Sequence, residues 1–466
     1  MNKEKETKKN KVLKPGWVDV TILIIISAIF LFICLTNLGF PGRYNLDEAY
    51  YVPGARSYST DHLDPNPRHP PLAKILIGIS MKIFGDNPSG WRYGSVTAGL
   101  LIVILTYFFG LYLFKSRVGA TAASFLLSID FLHIVQSRIA TLDIYTSFFI
   151  LLAFFMAFLY IKKYFREEQD PPLLNWYSIL CALCIGLALS SKLSALFGFI
   201  GIIATYFLIL WIKQKRIPIL FSLKVVSIYL PIIIIVYLIA HIPLFVKGIS
   251  PSYLLYRDTF TLHYGIKQDH PQLAKMWQWI LLQKPMWYYW QNDVRAKTIT
   301  GISAMGNFIF WWSFLGIFIQ LMVLTILKKR PYQIIIVMGY LSLYLGWLSS
   351  FQVIDGHLSF KGGYFYYMLP CVPFMSLTIA ETINRVWKYK LGKINVLIYL
   401  AAILFFLVRF YPLLKGIPMK YEYFDKIFSI NIYLLLAVCA ILTLQLYSVY
   451  LTGISKYLKK NHDKCL

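Results

Sequence analysis

Charge is scarce in this chain. Asp, Glu, Lys and Arg make up only 14% of its 466 residues, against roughly 25% in soluble proteins. With 58% of residues hydrophobic and 17% aromatic, a water-soluble globule is excluded and a polytopic membrane protein is expected. Acidic residues are scarcer still: 21 Asp and Glu stand against 46 Lys and Arg, a net charge of +25. In a soluble protein that excess would point to nucleic acid. Here the basic residues sit in short clusters between apolar runs: Lys3 to Lys14, Lys115/Arg117, Lys162/Lys163/Arg166, Lys213/Lys215/Arg216, Lys328/Lys329/Arg330, Arg385 to Lys393 and Lys456 to Lys464. If the runs alternate across a bilayer, all these clusters fall on one side, the positive-inside pattern. The charge therefore encodes topology, and no nucleic-acid partner is expected. Cysteine is sparse and scattered, at Cys34, Cys181, Cys184, Cys371, Cys439 and Cys465. No disulfide framework or zinc site is visible. Cys181 and Cys184 have redox-motif spacing but lie inside an apolar run, where they read as small filler. There is no soluble domain, low-complexity linker or internal repeat. Without inverted repeats or paired glycine and proline breaks, a lipid or solute transporter lacks its usual signature.

What the sequence does have is long apolar runs. Twelve candidate spans lie near 18–38, 91–114, 118–136, 142–161, 175–191, 193–212, 219–241, 306–327, 333–351, 364–382, 394–411 and 430–452. Each is close to the roughly 20 residues a crossing helix needs. The first run is long, and no small-x-small cleavage site precedes Asn45, so it is read as a retained span rather than a signal peptide. Both termini are then cytoplasmic. Residues 39–90 and 242–305 form two large external segments, and 137–141, 352–363 and 412–429 form short external turns. In the first segment, Leu72 to Phe84 is apolar but too short to span, which predicts a helix lying at the interface. The Trp- and Tyr-rich run from Met276 to Trp290 suits the membrane boundary, where such rings collect.

Several polar groups lie on the inferred outer face. Asp47 and Glu48 follow the first span by a few residues. Carboxylates so close to hydrocarbon are costly unless paired or working. They suit either a solvated loop or a general base with an acidic neighbour, since a Ser or Thr hydroxyl needs its proton removed during attack. About twenty residues on comes His69-Pro-Pro-Leu-Ala-Lys74. Its prolines suit a helix start, which puts Lys74 in a first turn. That lysine could hold a lipid phosphate or snorkel to lipid headgroups. Asp130, His133, Gln136, Arg138, Thr141 and Asp143 straddle the turn between the third and fourth spans. Arg138 is readable as a structural ion pair with Asp143 or Asp130, or as a phosphate clamp. His263, Asp269, His270 and Lys275 lie in the second segment without metal-ligand spacing, and no metal is assigned. Asn307 stands where it could cap the eighth span, with Trp311 and Trp312 as anchors.

Taken in order, Asp47-Glu48, His69 to Lys74, Gly90-Trp91-Arg92, Gln136 to Asp143, Lys284-Pro-Met-Trp-Tyr-Tyr289, Gly306-Asn307 with Trp311-Trp312, and Phe365 to Pro370 with Pro373-Phe374 resemble the protein O-mannosyltransferase family from about residue 40 to 380. The resemblance is to a bacterial or archaeal type, lacking the large soluble domain of eukaryotic members. It implies an all-α C-type multispan glycosyltransferase fold with about 12 transmembrane helices and interfacial helices in the external loops. A basic tail over 1–17, a catalytic membrane domain over 18–382 and C-terminal membrane helices with a basic tail over 383–466 follow. It further implies an inverting transfer of a sugar, expected to be mannose, from a dolichyl- or polyprenyl-phosphate donor to Ser/Thr hydroxyls of an exported protein acceptor. The alternative acceptor is a lipid or envelope glycan. In this resemblance Asp47 is the base and Glu48 its acidic neighbour. Lys74 and Arg138, with His69, lie near the lipid phosphate. Asp143, His270, Trp287, Tyr288 and Asn307 are candidates for the acceptor or sugar side. Lys284-Pro285 stands where the family often has Arg-Pro. The expected location is the plasma membrane, with the site on the external face; oligomeric state is left open.

Overall fold

The computed structural model describes residues 14–429, apart from 61, 166–169, 216, 249–270, 328–330, 355–356 and 361. Among these, eight helices are long and apolar enough to cross a membrane, or nine if one bent pair is counted. The candidate span at 430–452 and His263, Asp269 and His270 lie outside the described residues.

The chain opens with α1 (Trp17–Leu35), followed by two shorter helices, α2 (Glu48–Ser57) and α3 (Leu72–Phe84). A helix from Leu72 to Phe84 is present with the expected bounds. Next come α4 (Pro88–Phe114), α5 (Arg117–Ser128), α6 (Phe131–Ser137), α7 (Leu142–Tyr164), α8 (Trp176–Ser191), α9 (Leu196–Gln214) and α10 (Ile219–Val246). A short α11 (Met276–Ile280) precedes α12 (Phe308–Leu327), α13 (Ile334–Leu345), α14 (Val372–Val386), α15 (Lys390–Lys415) and α16 (Tyr421–Phe428). Local chemistry sets the starts. Asn87 caps α4 by accepting from the amides of Ser89 and Gly90, with Pro88 at the first helical position. Asn175 caps α8 in the same way.

Three expectations need correction. The run 118–136 is not one straight span: α5 and α6 meet at an angle of 62°. Asp130 accounts for the break, because its carboxylate accepts from the His133 amide and caps a new helix. The run 364–382 starts as a 3-10 turn over Phe365–Cys371, and α14 is only 15 residues long. The second external segment is not purely helical. Strands β1 (Met286–Asp293) and β2 (Thr298–Ala304) form an antiparallel hairpin, to which β5 (Met419–Lys420) adds. β3 (Phe351–Ile354) and β4 (His357–Phe360) pair separately. Aromatic runs fit strands as readily as membrane boundaries.

Close helix contacts rely on small residues. A Cβ added at Gly110 of α4 would lie 3.0 Å from the Cα of Ala120 on α5, a backbone approach that lipid-embedded helices favour. The two ends of the bundle differ in character. At one end Arg117 pairs with Asp19 at 2.9 Å, Lys162 donates to the Tyr112 carbonyl at 3.0 Å, and Lys213 donates to the Phe165 carbonyl at 2.5 Å. These basic loops thus gather around the start of α1 and the ends of α4, α7 and α9. Residues 39–90 and the β1–β2 hairpin meet at the other end, where the ring of Phe40 packs edge-on against Tyr289 at 5.2 Å.

Candidate active site

The first segment is held to the bundle by a buried ion pair. Arg92 of α4 and Glu48 of α2 are both fully buried and bond twice, Nε to Oε1 and Nη2 to Oε2, each at 2.8 Å. Planar guanidinium and carboxylate match in this two-point geometry. The remaining donors of Arg92 hold the carbonyls of Leu38, at 2.9 Å, and Phe40, at 3.0 Å. Glu48 also accepts from the amides of Asn45, at 2.8 Å, and Ala140, at 2.9 Å. Every strong partner of Glu48 is thus structural. The structure makes it the anchor of the loop, not a free acidic companion to Asp47.

That anchor fixes the residue before it. Asp47 immediately precedes α2, after Leu46, whose φ of +40° is unusual for a residue with a side chain. The Asp47 carboxylate is half-buried and accepts from the Tyr366 hydroxyl at 3.0 Å. Burial pushes the carboxyl above the ordinary carboxylate range, opposed by the Tyr366 hydrogen bond and the Lys192 charge and reinforced by Asp143. A pKa raised by burial suits a general base better than that of a solvated carboxylate does.

Sequence reading misses Lys192. It links α8 to a 3-10 turn over Leu193–Ala195. Its ammonium pairs with Asp143 at 2.7 Å and lies over the rings of Tyr366, at 5.3 Å, and Tyr367, at 5.0 Å. Lysine at the break between two apolar runs, at the end away from the basic loops, was the available signal. Gln136 accepts from Thr141 at 2.9 Å and donates to the Tyr288 hydroxyl at 2.5 Å, tying the α6–α7 turn to β1. Tyr288 is buried, and its ring lies 6.4 Å from that of Tyr366. Asp47, Asp143, Lys192, Tyr288 and Tyr366 therefore share one corner.

The other candidates have partners of their own. Lys74 is fully buried in the first turn of α3, paired with Asp64 and donating to the Asn66 carbonyl at 3.0 Å. Burial pulls its ammonium below the ordinary lysine value, and Asp64 opposes that. The ring of His69 meets that of Tyr51 edge-on at 5.9 Å. Arg138 pairs with neither Asp143 nor Asp130. Its guanidinium holds the carbonyls of Ile33, Cys34, Thr36 and Asn37 at the end of α1, where a helix presents unsatisfied acceptors and partial negative charge. Asp130 instead accepts from the Trp311 indole at 2.9 Å, so Trp311 is a buried structural donor rather than a boundary anchor. Asn307 is buried and donates to the Ile403 carbonyl at 3.0 Å. The Trp287 ring packs against Trp290 and Phe428. Among the described residues, no three His, Cys, Asp or Glu side chains are grouped to hold a metal.

Residues 83–247 match the family described as dolichyl-phosphate-mannose-protein mannosyltransferase. A relative named polyprenol-phosphate-mannose–protein mannosyltransferase, from Mycolicibacterium smegmatis, is 25% identical over 87% of this chain and 90% of its own length. The fold is similar to that of a solved Saccharomyces cerevisiae protein O-mannosyltransferase, Pmt1-Pmt2, bound to its sugar donor. That match has a TM-score of 0.72 at 13% identity, covering 90% of this chain and 93% of the other. ArnT from Cupriavidus metallidurans, solved with undecaprenyl phosphate, matches at a TM-score of 0.53 and 12% identity over 92% of this chain and 75% of its own. The fold is that of multispan membrane glycosyltransferases.

Proposed function

We propose that this protein is an inverting membrane glycosyltransferase that moves mannose from a polyprenyl-phosphate donor to Ser or Thr hydroxyls of exported proteins. The observation that carries the reading is Asp47. It is a half-buried carboxylate whose pKa is raised, on a loop pinned by Glu48 and Arg92, in a chain similar over most of its length to enzymes named for this transfer. Asp47 takes the acceptor O–H proton. The oxygen then bonds to the anomeric carbon as that carbon's bond to the phosphate oxygen breaks. Polyprenyl phosphate leaves with the electron pair. Single-step attack inverts the anomeric centre. A phosphate leaving group needs no strong general acid, but its charge must be met, and such stabilisation is usually the largest catalytic contribution.

Lys74 is our candidate for that charge. The first-turn amides of α3 add favourable dipole there, and the phosphate would share the ammonium with Asp64. His69, two prolines before α3, borders the same site. Arg138 acts indirectly, by closing the end of α1. Asp47 must be ionised to act, so kcat/KM should fall as pH drops through its raised pKa. We expect the midpoint of that acid limb above roughly 4, the ordinary aspartate value. A limb at or below that value would remove Asp47 as the base.

The site is assigned to the external face of the plasma membrane, since the basic loops that mark the inside lie at the opposite end. In a variant without the native cysteines, Cys at Ser59 or Val294 should react with an impermeant thiol reagent on intact cells. Cys at Gln214 should react only after lysis. The reverse pattern would remove the external mechanism. The function itself is tested by mass spectrometry of exported proteins from cells with and without this gene. Loss of hexose from Ser/Thr peptides is expected; loss of hexose only from lipids or glycans would move the acceptor to those classes.

A further inference from the structure

The face of α2 that begins at Asp47 continues beyond it. Asp47, Tyr51, Gly54 and Tyr58 recur at i, i+4, i+7 and i+11, one side of a helix. At 1.5 Å per residue, Tyr51 stands about 6 Å along the axis from Asp47, and Gly54 about 10 Å. The far part of this face meets the ion pair assigned above to the donor phosphate. A Cβ added at Gly54 would lie 2.7 Å from Asp64 Oδ1 and 3.1 Å from Lys74 Cδ. The Tyr58 hydroxyl donates to Asp64 at 3.2 Å. His69, two prolines before α3, meets the Tyr51 ring edge-on at 5.9 Å. Tyr51 therefore stands between the proposed base and the phosphate end of the site.

Tyr51 is only 5% exposed, yet its hydroxyl makes no hydrogen bond to any described residue. The oxygen is not sealed in, and keeps contact with open space. The carboxylates near it have other donors: Tyr366 serves Asp47, and Lys192 serves Asp143. Burial and the charges of Asp47 and Asp143 hold the phenol well above the ordinary tyrosine range. It stays an O–H donor at any working pH. A fixed donor with no internal partner, one helical turn from a general base, suits an oxygen on which charge develops.

We propose that the Tyr51 hydroxyl donates a hydrogen bond to the phosphate oxygen that leaves the anomeric carbon. The acceptor oxygen bonds to that carbon, and its proton passes to Asp47. The electron pair of the breaking carbon–oxygen bond moves onto the leaving oxygen, where Tyr51 meets the charge. Tyr51 keeps its own proton, because a phosphate is a far weaker base than a phenolate. Lys74 is paired with Asp64, so its charge is shared, and a neutral donor at the leaving oxygen adds what that pair does not supply. Tyr51 is then a catalytic residue. This role rests on the glycosyl-transfer reading and goes beyond it.

The test uses the purified full-length protein in liposomes, under single-turnover conditions. Tyr51→Phe removes the hydroxyl and keeps the ring that meets His69, so thermal unfolding should match wild type. With polyprenyl-phosphate mannose its rate should fall on the order of 10²-fold, as when one donor to a developing oxyanion is removed. Donor affinity should hardly change. A second donor carries sulfur in place of the oxygen between mannose and phosphorus. Sulfur is a weak acceptor, so with this donor the ratio of wild type to Tyr51→Phe should shrink by about tenfold or more. Intrinsic differences between the donors cancel in that ratio. A residue that only packs would slow both donors alike, and equal ratios would overturn the proposal. So would a Tyr51→Phe rate equal to wild type with the natural donor. Where the variant does not fold, or the sulfur donor is not transferred, 3-fluorotyrosine in place of Tyr51 decides. Its more acidic phenol is a stronger donor of nearly the same size, so transfer should be faster than wild type; an unchanged or slower rate overturns the proposal. These results sink only this inference, whereas no transfer by wild type from polyprenyl-phosphate mannose sinks the glycosyl-transfer reading as well.

Discussion

Asp47→Asn is expected to give a folded protein whose transfer rate is lower by on the order of 10²-fold or more. The replacement keeps the size and planar shape of the side chain and removes only its capacity to take a proton. Its amide oxygen can still accept from Tyr366, which donates to the wild-type carboxylate at 3.0 Å. The loop does not depend on this side chain, because Glu48 and Arg92 hold it. Thermal unfolding in detergent should therefore match wild type while turnover collapses. A variant with comparable turnover would remove Asp47 from the mechanism.

Arg92→Ala is expected to have the largest effect on stability. It leaves the Glu48 carboxylate buried and unpaired, a change that costs about 3–5 kcal/mol for a broken buried pair. It also strips the donors from the carbonyls of Leu38 and Phe40. The loop carrying Asp47 then loses its frame, so activity should fall along with stability. Replacing both partners, as Glu48→Gln with Arg92→Met, should be less harmful than Arg92→Ala alone, since no buried charge is stranded. Midpoints of thermal unfolding for the three proteins check this. Equal midpoints for Arg92→Ala and wild type would show that the pair does not anchor the loop.

The elements most legible in the sequence were those set by local chemistry. Helix α3 runs from Leu72 to Phe84 because two prolines block an earlier start and Gly85, at φ +91°, takes a backbone conformation that ends it. Long apolar runs gave most of the spans. The break at Asp130 was less legible, because a polar residue inside an apolar run reads equally as a buried contact and as a cap. The hairpin at Met286–Ala304 was hidden for a different reason: tryptophan and tyrosine favour strands and membrane boundaries alike.

The site was legible in part. Asp47 stood out because carboxylates are rare near the first span. Its surroundings did not, because they come from distant chain positions. Glu48 meets Arg92 44 residues away, and Asp143 meets Lys192 49 residues away. Adjacency in sequence suggested instead that Glu48 serves Asp47, and left Arg138 either paired with Asp143 or Asp130 or clamping a phosphate. Arg138 is taken by the carbonyls at the end of α1, a partner that residue types alone cannot reveal, since every helix end offers one.

The most direct measurement is transfer by the purified full-length protein in liposomes. Polyprenyl-phosphate mannose of defined anomeric configuration is supplied with a peptide carrying Ser and Thr from an exported protein, and the product linkage is read by NMR. The expected result is a mannosyl peptide of opposite anomeric configuration to the donor, formed in equal amount with polyprenyl phosphate and absent with Asp47→Asn. Retained configuration, or undiminished transfer by Asp47→Asn, would contradict the account.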